Sequence, residues 1–251
     1  MEVLVIGNKP YHKIPMSGLI DSFSYNVRCN MSLPNKNNGT KTFSLGLCNH
    51  LYDNLIKSPI SIREFKKIYH SYKTTSIDEF FQKFDKKIYE NIYFAKHNKD
   101  KSNSLLRSYG SPYRFSKQPR TGFTIVFDNL MNGNDVYVFG FSIKNEERIS
   151  YYVESEFESP VHEMKDEINI LRWLHKNNKI DATLCMLVDT DIPTLDCEGG
   201  LRPNLKTLNK IVEMFGRCRL INYEIMKEDS MLESLKNFNI EIGETIDILK
   251  K

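Results

Sequence analysis

The chain has 251 residues, of which 40% are hydrophobic and 27% are charged, the composition of an ordinary soluble globular protein. Its formal net charge is +3 and its pI about 8.4, which is too little basic charge for a surface that tracks nucleic-acid phosphates. No apolar run approaches the roughly 20 residues of a membrane span, and residues 1–6 show no signal-peptide pattern. We expect a cytoplasmic protein with no nucleic-acid partner and at most peripheral contact with the inner face of the membrane.

The five cysteines are widely spaced along the chain. They form no C-x-x-C pair and no His/Cys cluster with the spacing of a zinc site. Reduced thiols of a cytosolic protein are the plainer interpretation, and we expect no bound metal and no cofactor.

The N-terminal part of the chain alternates short apolar segments with turn residues. Residues 3–6 (VLVI) are followed by Gly7-Asn8-Lys9-Pro10 and predict a buried strand and a tight turn. Residues 25–29 and 43–47 predict two more strands.

A different pattern follows in the middle of the chain. From residue 60 to about residue 93, apolar residues recur at helical spacing and predict helices. The polar stretch 96–117 predicts a long mobile loop, and such loops often act as lids. We interpret residues 58–118 as a helical and loop insertion.

The second half of the chain returns to an alternation of helices and strands. The predicted elements are, in order, helix 121–130, strand 135–139, a helix from about 162 to 176, strand 183–188, helix 205–215, strand 219–223 and helix 230–238. This alternation predicts an α/β fold: one Rossmann-like domain over residues 1–251, with a mostly parallel sheet covered by helices.

Two predicted strand ends carry residues suited to a nucleotide. Gly7-Asn8 follows the first strand, at the edge where Rossmann-like sheets bind ligands. Glycine lets the backbone approach a phosphate or ribose, and the asparagine amide both donates and accepts hydrogen bonds. Arg28 and Asn30 end the second strand. Plain strand-to-turn chemistry and a structural ion pair of Arg28 remain the alternatives.

Pro119-Arg120-Thr121-Gly122 opens a predicted helix. The free N–H groups and the dipole of a helix N-terminus favour an anion, and the Thr121 hydroxyl lies beside them. An ordinary helix cap is the alternative.

Three aromatic or imidazole side chains could assist a transfer reaction. Tyr151 and Tyr152 follow the predicted strand that ends near Gly140 and could donate hydrogen bonds to a departing phosphate, or simply pack. His162 begins a predicted helix and could accept a proton near neutral pH. Glu167 follows it by five positions. A surface histidine without a function is the alternative.

Asp189 and Asp191 follow predicted strand 183–188. Carboxylates at this spacing can hold Mg²⁺ or Mn²⁺ on a nucleotide diphosphate. The alternative is turn chemistry before Pro193.

Four of these segments, in this order along the chain, resemble the sialyl motifs of the sialyltransferases of glycosyltransferase family 29. They are Val5-Ile6-Gly7-Asn8 through Gly39-Thr40-Lys41, Pro119-Arg120-Thr121-Gly122 through Phe139-Gly140-Phe141, Ser150-Tyr151-Tyr152, and His162 with Glu167 as His-x-x-x-x-Glu. The bacterial sialyltransferases of family 42 are similar in architecture. The resemblance implies a sialyltransferase-like variant of the GT-A fold.

The same resemblance assigns roles to residues. It implies a CMP-sugar as the donor, a glycan or glycolipid as the acceptor, and no metal. His162 would be the catalytic base, Glu167 would orient its helix or ring, and Tyr151 and Tyr152 would stabilise the departing phosphate. The donor nucleotide would contact Gly7, Asn8, Arg28, Asn30, Asn49, Arg120, Thr121, Gly122 and Gly140.

Three functions are therefore compatible with the sequence. The first is an inverting transfer of sialic acid, or of a related acidic sugar such as Kdo, from a CMP-sugar to a glycan hydroxyl. The second is a metal-dependent transfer from a UDP- or GDP-sugar through Asp189 and Asp191. The third is nucleotide binding without catalysis, because Lys9, Tyr11 and Ser150 depart from the motifs.

Overall fold

The structure, a computed structural model, describes about two thirds of the chain. The described residues are 1–9, 13–30, 34–41, 43–47, 67–70, 92–94, 98–144, 162–223, 233–235, 237 and 240–242.

The centre of the fold is a six-stranded sheet in which every pair of neighbours is parallel. Its strands are β1 (Glu2–Ile6), β2 (Asn26–Cys29), β3 (Ser44–Leu47), β4 (Lys67–His70), β5 (Ile92–Phe94) and β6 (Asp135–Phe139). Their order across the sheet is β5-β4-β3-β2-β1-β6. The chain therefore moves outward from β1 in one direction and then returns to place β6 on its other side. Such a reversal opens a crevice at the carboxyl ends of the strands, here between β1 and β6.

The sequence of β1 suits its position between β2 and β6. Residues 3–6 are all apolar and have no exposed surface, as expected for a parallel strand that is covered on both faces. β1 pairs with β2 through Leu4–Asn26 and with β6 through Leu4–Tyr137. The prediction of a mostly parallel α/β sheet is confirmed.

Helices cover the sheet. They are α1 (Ser17–Asp21), α2 (Lys99–Ser108), α3 (Thr121–Met131), α4 (Met164–Lys176) and α5 (Leu205–Phe215). α3 packs against β1, β3 and β6 and is buried over most of its length, which explains why its sequence is apolar nearly all round. Across the described part of the chain, none of the helices combines the length and apolar character that crossing a membrane would require.

A second, smaller parallel sheet follows in the order β7-β8-β9. Its strands are β7 (Thr194–Asp196), β8 (Cys218–Ile221) and β9 (Ile240–Ile242). Asp181 extends the main sheet beyond β6, since its N–H donates to the Val136 carbonyl and its own carbonyl accepts from Val138. An antiparallel bridge between Leu187 and Leu195 then leads into β7.

Most of the elements predicted for the second half of the chain are confirmed: α3, β6, α4, α5 and β8 agree within one or two residues with the predicted spans. Of predicted helix 230–238, the described residues 233–235 are helical. α1, β7 and β9 were not predicted.

The helices predicted between residues 60 and 93 are wrong where the structure describes the chain. Lys67–His70 and Ile92–Phe94 are strands of the main sheet. β4 pairs with β3 in the register Leu45–Ile68, so strand pairing prevails over a helical spacing of only a few apolar residues.

The loop predicted over residues 96–117 contains helix α2. Its first turn is capped by the Asn98 side chain, which accepts a hydrogen bond from the N–H of Lys101 at 3.0 Å. Ser102 and Leu106 are completely buried, so a narrow face was enough to dock an otherwise polar helix.

The strand predicted over residues 183–188 is also wrong. Thr183–Met186 forms a 3₁₀ helix. The carboxylate of Asp181 accepts a hydrogen bond from the Thr183 N–H at 2.8 Å and turns the chain away from β6. A short buried apolar run does not distinguish these two conformations.

Candidate active site

Two glycines bring the ends of β1 and β6 into direct contact. The Gly7 N–H donates to the Phe139 carbonyl at 2.7 Å, and the Lys9 N–H donates to the Gly140 carbonyl at 3.0 Å. A Cβ on Gly7 would lie 2.3 Å from the Gly140 oxygen, and a Cβ on Gly140, whose φ is +75°, would lie 2.9 Å from the Gly7 oxygen. Only residues without a side chain allow this approach. The predicted site residues Gly7 and Gly140 are thus brought together at the crevice.

The N-terminus of α3 lies at the same edge of the sheet. A Cβ on Gly122 would lie 2.8 Å from the Phe141 ring, just beyond β6, and 3.5 Å from the Cys29 sulfur at the end of β2. Thr121, the first residue of α3, is buried beside it. The dipole and N–H groups of a helix N-terminus favour an anion, and the N-terminus of α3 lies beside the ends of β2 and β6.

Arg120, which precedes α3, is paired with a buried carboxylate on α4. Glu167 is 1% exposed, while the Arg120 side chain is 40% exposed. The Arg120 backbone N–H donates to one oxygen of Glu167 at 2.8 Å, and the guanidinium binds the other oxygen through Nε and Nη2. Glu167 therefore joins the start of α3 to the first turn of α4. It was expected to orient the ring or the helix of His162, and its hydrogen-bond partner in the described structure is Arg120.

His162 lies just before α4 and contacts the backbone that leads into α3. Its Nδ1 is 2.6 Å from the Gln118 carbonyl oxygen. Because a carbonyl can only accept a hydrogen bond, Nδ1 must carry the proton. In the neutral imidazole the lone pair is then on Nε2. This is the arrangement of a general base whose other nitrogen is held by a fixed acceptor.

Arg28, expected at the donor nucleotide, has a structural position instead. Its side chain is 1% exposed, and its guanidinium donates to the carbonyls of Asn38, Gly39 and Lys41 at 2.9–3.0 Å. A guanidinium that is buried against three carbonyls fixes a loop and is not available to a ligand. The expectation that Arg28 contacts the nucleotide is therefore not supported by its surroundings.

Asp21 holds the other side of this loop. Its carboxylate accepts hydrogen bonds from the Thr40 N–H at 2.9 Å, the Thr40 hydroxyl at 2.6 Å and the Lys41 N–H at 2.9 Å. Burial would raise the pKa of Asp21, but these hydrogen bonds and the charge of Arg28 outweigh it and hold the pKa below its ordinary value. The segments that resemble the first motif thus serve to fix loop 38–41, which leads into the start of β3.

The asparagines at the strand ends share one edge. Asn8 follows Gly7 after β1, and Asn30 follows β2, the neighbouring strand. Asn30 has a positive φ of +53°, and its N–H donates to the Gly46 carbonyl at 2.5 Å. Asn49, Tyr151 and Tyr152 lie outside the described residues, and their roles stay predictions.

Asp189 and Asp191 are exposed in the turn before Pro193. The Asp189 carboxylate accepts a hydrogen bond from the Lys13 N–H at 3.2 Å, and the Thr190 hydroxyl donates to the Ile192 carbonyl at 2.7 Å. The described residues contain no group of three or more His, Cys, Asp or Glu side chains arranged to hold a metal ion. Turn chemistry accounts for the contacts of this segment.

Several residues around His162 were not predicted from the sequence. Gln118 acts through its backbone carbonyl, so its side-chain type gives no signal. Asp166 accepts a hydrogen bond from the Ser116 N–H at 2.8 Å and another from the Ser116 hydroxyl. Its position beside Glu167, as a second acid in the first turn of α4, is the signal that could have identified it.

Comparison with known proteins identifies the fold. The structure is similar to a mammalian sialyltransferase solved in complex with Gal-beta-1-3GalNAc-ortho-nitrophenol, with a TM-score of 0.50 and 18% identity over 71% of this chain and 67% of that chain. A second mammalian sialyltransferase structure gives a TM-score of 0.48, 18% identity and coverage of 71% and 67%. The sialyltransferase CstII from Campylobacter jejuni, solved in complex with CMP-3FNeuAc, gives a TM-score of 0.45 and 18% identity. The match covers 72% of this chain and 79% of that chain.

No protein-family model matches the sequence, and no curated protein matches it either. At 18% identity the structural likeness concerns the fold alone. The predicted sialyltransferase-like α/β fold is confirmed.

Proposed function

We propose that this chain, which has the fold of the sialyltransferases, is a glycosyltransferase that moves an acidic sugar from a CMP-sugar to a hydroxyl group of a glycan or glycolipid. His162 is the proposed catalytic base. The donor is CMP-sialic acid or a related CMP-sugar such as CMP-Kdo. The reaction inverts the configuration of the anomeric carbon, because the acceptor attacks directly.

The observation that carries this proposal is the hydrogen bond from His162 Nδ1 to the Gln118 carbonyl, 2.6 Å long. It fixes the imidazole with its lone pair on Nε2, the form that can accept a proton. Gln118 lies three residues before α3, whose N-terminus adjoins the ends of β2 and β6. A proton acceptor and an anion-binding helix end are thus connected by the residues 118–121.

The nucleotide is proposed to bind at the edge formed by β1, β2 and β6. Gly7 and Gly140 lie in contact at the ends of β1 and β6 and have no side chains, which allows a ligand to approach the backbone at this edge. The N–H groups at the start of α3, with Thr121, suit the phosphate of CMP. Asn8 and Asn30 at the same edge supply amide groups for the nucleoside.

The proposed reaction follows from these positions. The acceptor hydroxyl loses its proton to His162 Nε2 while its oxygen forms a bond to the anomeric carbon. The bond from that carbon to the phosphate oxygen breaks, and its electron pair leaves with CMP. Tyr151 and Tyr152, through the motif resemblance, are proposed to donate hydrogen bonds to this phosphate. CMP leaves with a single phosphate, so the proposal assigns no metal.

The state of the cysteines supports a reducing compartment for this enzyme. Cys185, Cys197 and Cys218 are buried thiols among the cysteines that the structure describes. Free thiols are typical of cytosolic proteins, so we propose that the reaction takes place in the cytoplasm.

A nucleotide and donor panel tests the function. A ligand that binds only the folded state raises its melting temperature, so CMP should stabilise the protein more than UDP or GDP. Release of CMP from CMP-sialic acid or CMP-Kdo, accelerated by a glycan acceptor and unaffected by EDTA, would support the proposal.

The same panel separates the alternatives. Stabilisation by UDP or GDP together with activity that EDTA abolishes would favour metal-dependent transfer through Asp189 and Asp191. Binding of CMP without release from any CMP-sugar would favour a non-catalytic nucleotide-binding protein.

A further inference from the structure

The residues that lead into α3 form a short strap, residues 116–120, that crosses the start of α4. Its middle residue, Gln118, supplies the carbonyl that accepts from His162 Nδ1. The direction of this one carbonyl determines which nitrogen of the imidazole carries the proton. The position of the strap is therefore a requirement for the proposed base.

Two neighbouring carboxylates of α4 hold the strap at its two ends. At the first end, Asp166 Oδ2 accepts from the Ser116 N–H at 2.8 Å and from the Ser116 hydroxyl. At the other end, Glu167 accepts from the N–H and the guanidinium of Arg120. Gln118 lies midway between these two anchors.

Helix α2 supports the strap from its other side. The Lys99 N–H donates to the Gln118 side-chain oxygen at 3.3 Å. The Asn103 side chain donates to the Phe115 carbonyl at 3.0 Å and accepts from the Phe115 N–H at 2.8 Å. Phe115 is buried, so the chain is fixed just before the strap begins, and Asp166 fixes the first residue of the strap itself.

We propose that Asp166 is a positioning residue, which holds the strap through Ser116 so that the Gln118 carbonyl keeps the proton of His162 on Nδ1 and leaves Nε2 as the proton acceptor. Asp166 does not touch the reacting atoms. Without this anchor the carbonyl is free to move away, and neutral imidazole then also adopts the Nε2–H tautomer, which it prefers in water. The proposal rests on His162 being the base of the proposed function.

The test is a measurement of the His162 tautomer in the ligand-free protein. A ¹⁵N-labelled sample, at a pH where the imidazoles are neutral, gives distinct ¹⁵N shifts for the protonated and unprotonated ring nitrogens. The chain has six histidines, and the signals missing from His162→Gln identify those of His162. The wild-type protein is expected to show the Nδ1–H tautomer alone. A wild-type Nε2–H tautomer would overturn the proposal.

Two substitutions of Asp166 separate positioning from charge. Asp166→Ala removes the acceptor and is expected to give a mixture of both tautomers. Asp166→Asn removes the same charge but keeps an oxygen that can accept from Ser116, so it is expected to retain the wild-type tautomer. An unchanged tautomer in Asp166→Ala, or the same mixture in both variants, would overturn the proposal.

Ser116→Ala provides a second route if Asp166→Ala does not fold. It removes the hydroxyl hydrogen bond and keeps the backbone one, so a smaller share of the Nε2–H tautomer is expected. The wild-type tautomer alone in Ser116→Ala would count against the proposal in that case.

A kinetic measurement connects the tautomer to turnover. For CMP-sugar transfer, kcat of Asp166→Ala should fall in proportion to the Nδ1–H fraction that is lost, with an unchanged KM for the donor. The tautomer measurement needs no donor or acceptor. If the protein fails to turn over any CMP-sugar, the proposed function fails while the claim about Asp166 and the tautomer still stands or falls on the spectra.

Discussion

The carboxylate of Glu167 binds Arg120, with one oxygen on the backbone N–H at 2.8 Å and the other on the guanidinium. The two partners differ in burial, since Glu167 is 1% exposed and the Arg120 side chain 40% exposed. Loss of either partner should therefore have different consequences. The pair ties the start of α3 to α4 beside His162, so the last residue of the His-x-x-x-x-Glu segment has a structural role.

Arg120→Ala should destabilise the protein more than the loss of an ordinary surface ion pair. It leaves a buried carboxylate with a backbone N–H as its remaining partner, and we expect a loss of about 2–3 kcal/mol in the free energy of unfolding. Urea unfolding monitored by circular dichroism measures this. Lys117→Ala is the matched control, since it breaks an exposed pair with Glu163 (3.5 Å) that joins the same two segments. Lys117→Ala should lower the free energy of unfolding by less than about 1 kcal/mol. Equal losses in the two variants would contradict the account.

Gly140→Ala should be more harmful than alanine at another glycine with the same backbone conformation. Gly140 has a φ of +75° and Gly133 has a φ of +70°. A Cβ added at Gly133 would have no heavy atom within 4 Å, whereas a Cβ added at Gly140 would lie 2.9 Å from the Gly7 oxygen. Both variants incur the cost of a positive φ, about 1–2 kcal/mol. The free energy of unfolding of Gly140→Ala should fall by about 1–3 kcal/mol more, because its Cβ clashes with the Gly7 oxygen.

The same pair of variants tests the location of the nucleotide site. We expect Gly140→Ala to lose the stabilisation by CMP in a thermal-shift assay, while Gly133→Ala keeps it. A similar response of both variants to CMP would place the nucleotide away from the contact between β1 and β6.

Asp21 should contribute to stability at neutral pH and lose this contribution in acid. Its pKa is lower in the folded protein than the ordinary value, despite burial, because Thr40, Lys41 and Arg28 favour the carboxylate. A depressed pKa means that the stabilisation is complete above the ordinary aspartate range, near pH ~4, and fades as the pH falls through the folded-state pKa.

The corresponding measurement compares urea unfolding of the wild type and Asp21→Asn at several pH values. The difference between them should be constant from pH 7 to about 5 and should shrink below pH ~4. Asp135→Asn removes an exposed carboxylate at the start of β6 and should differ little from the wild type throughout. A difference for Asp21→Asn that grows in acid would contradict the assignment.

The fold could be predicted where the pattern of apolar residues fitted either a strand or a helix but not both. Residues 3–6 form an apolar run that has the length of a buried parallel strand, and helix α3 is long enough to be distinguished from a strand. Residues 67–70 could not be assigned in this way, because Ile68 and Tyr69 also fit a helical spacing and only their pairing with β3 decides. Residues 183–186 form a 3₁₀ helix next to Asp181, whose carboxylate accepts from the Thr183 N–H. The backbone of Asp181 pairs with β6, and this pairing depends on the tertiary structure.

The sequence could predict which residues lie near the candidate site, but not which groups they contact. His162, Glu167, Arg120, Gly7 and Gly140 lie at or beside the predicted edge of the sheet. The partner of His162 is a backbone carbonyl, and a sequence carries no mark of which carbonyl that will be. The guanidinium of Arg28 donates to three carbonyls of one loop. These contacts join residues at least ten positions apart, and no sequence motif predicts them.

The turnover of His162→Ala with a CMP-sugar and a glycan acceptor tests the central claim most directly. Loss of a general base typically costs ~10²–10⁴-fold in rate, so we expect kcat to fall by that factor while CMP still raises the melting temperature as it does in the wild type. Glu213→Ala, which replaces an exposed residue of α5, serves as the control and should keep wild-type turnover. A His162→Ala protein that binds CMP and turns over within a few-fold of the wild type would contradict the account.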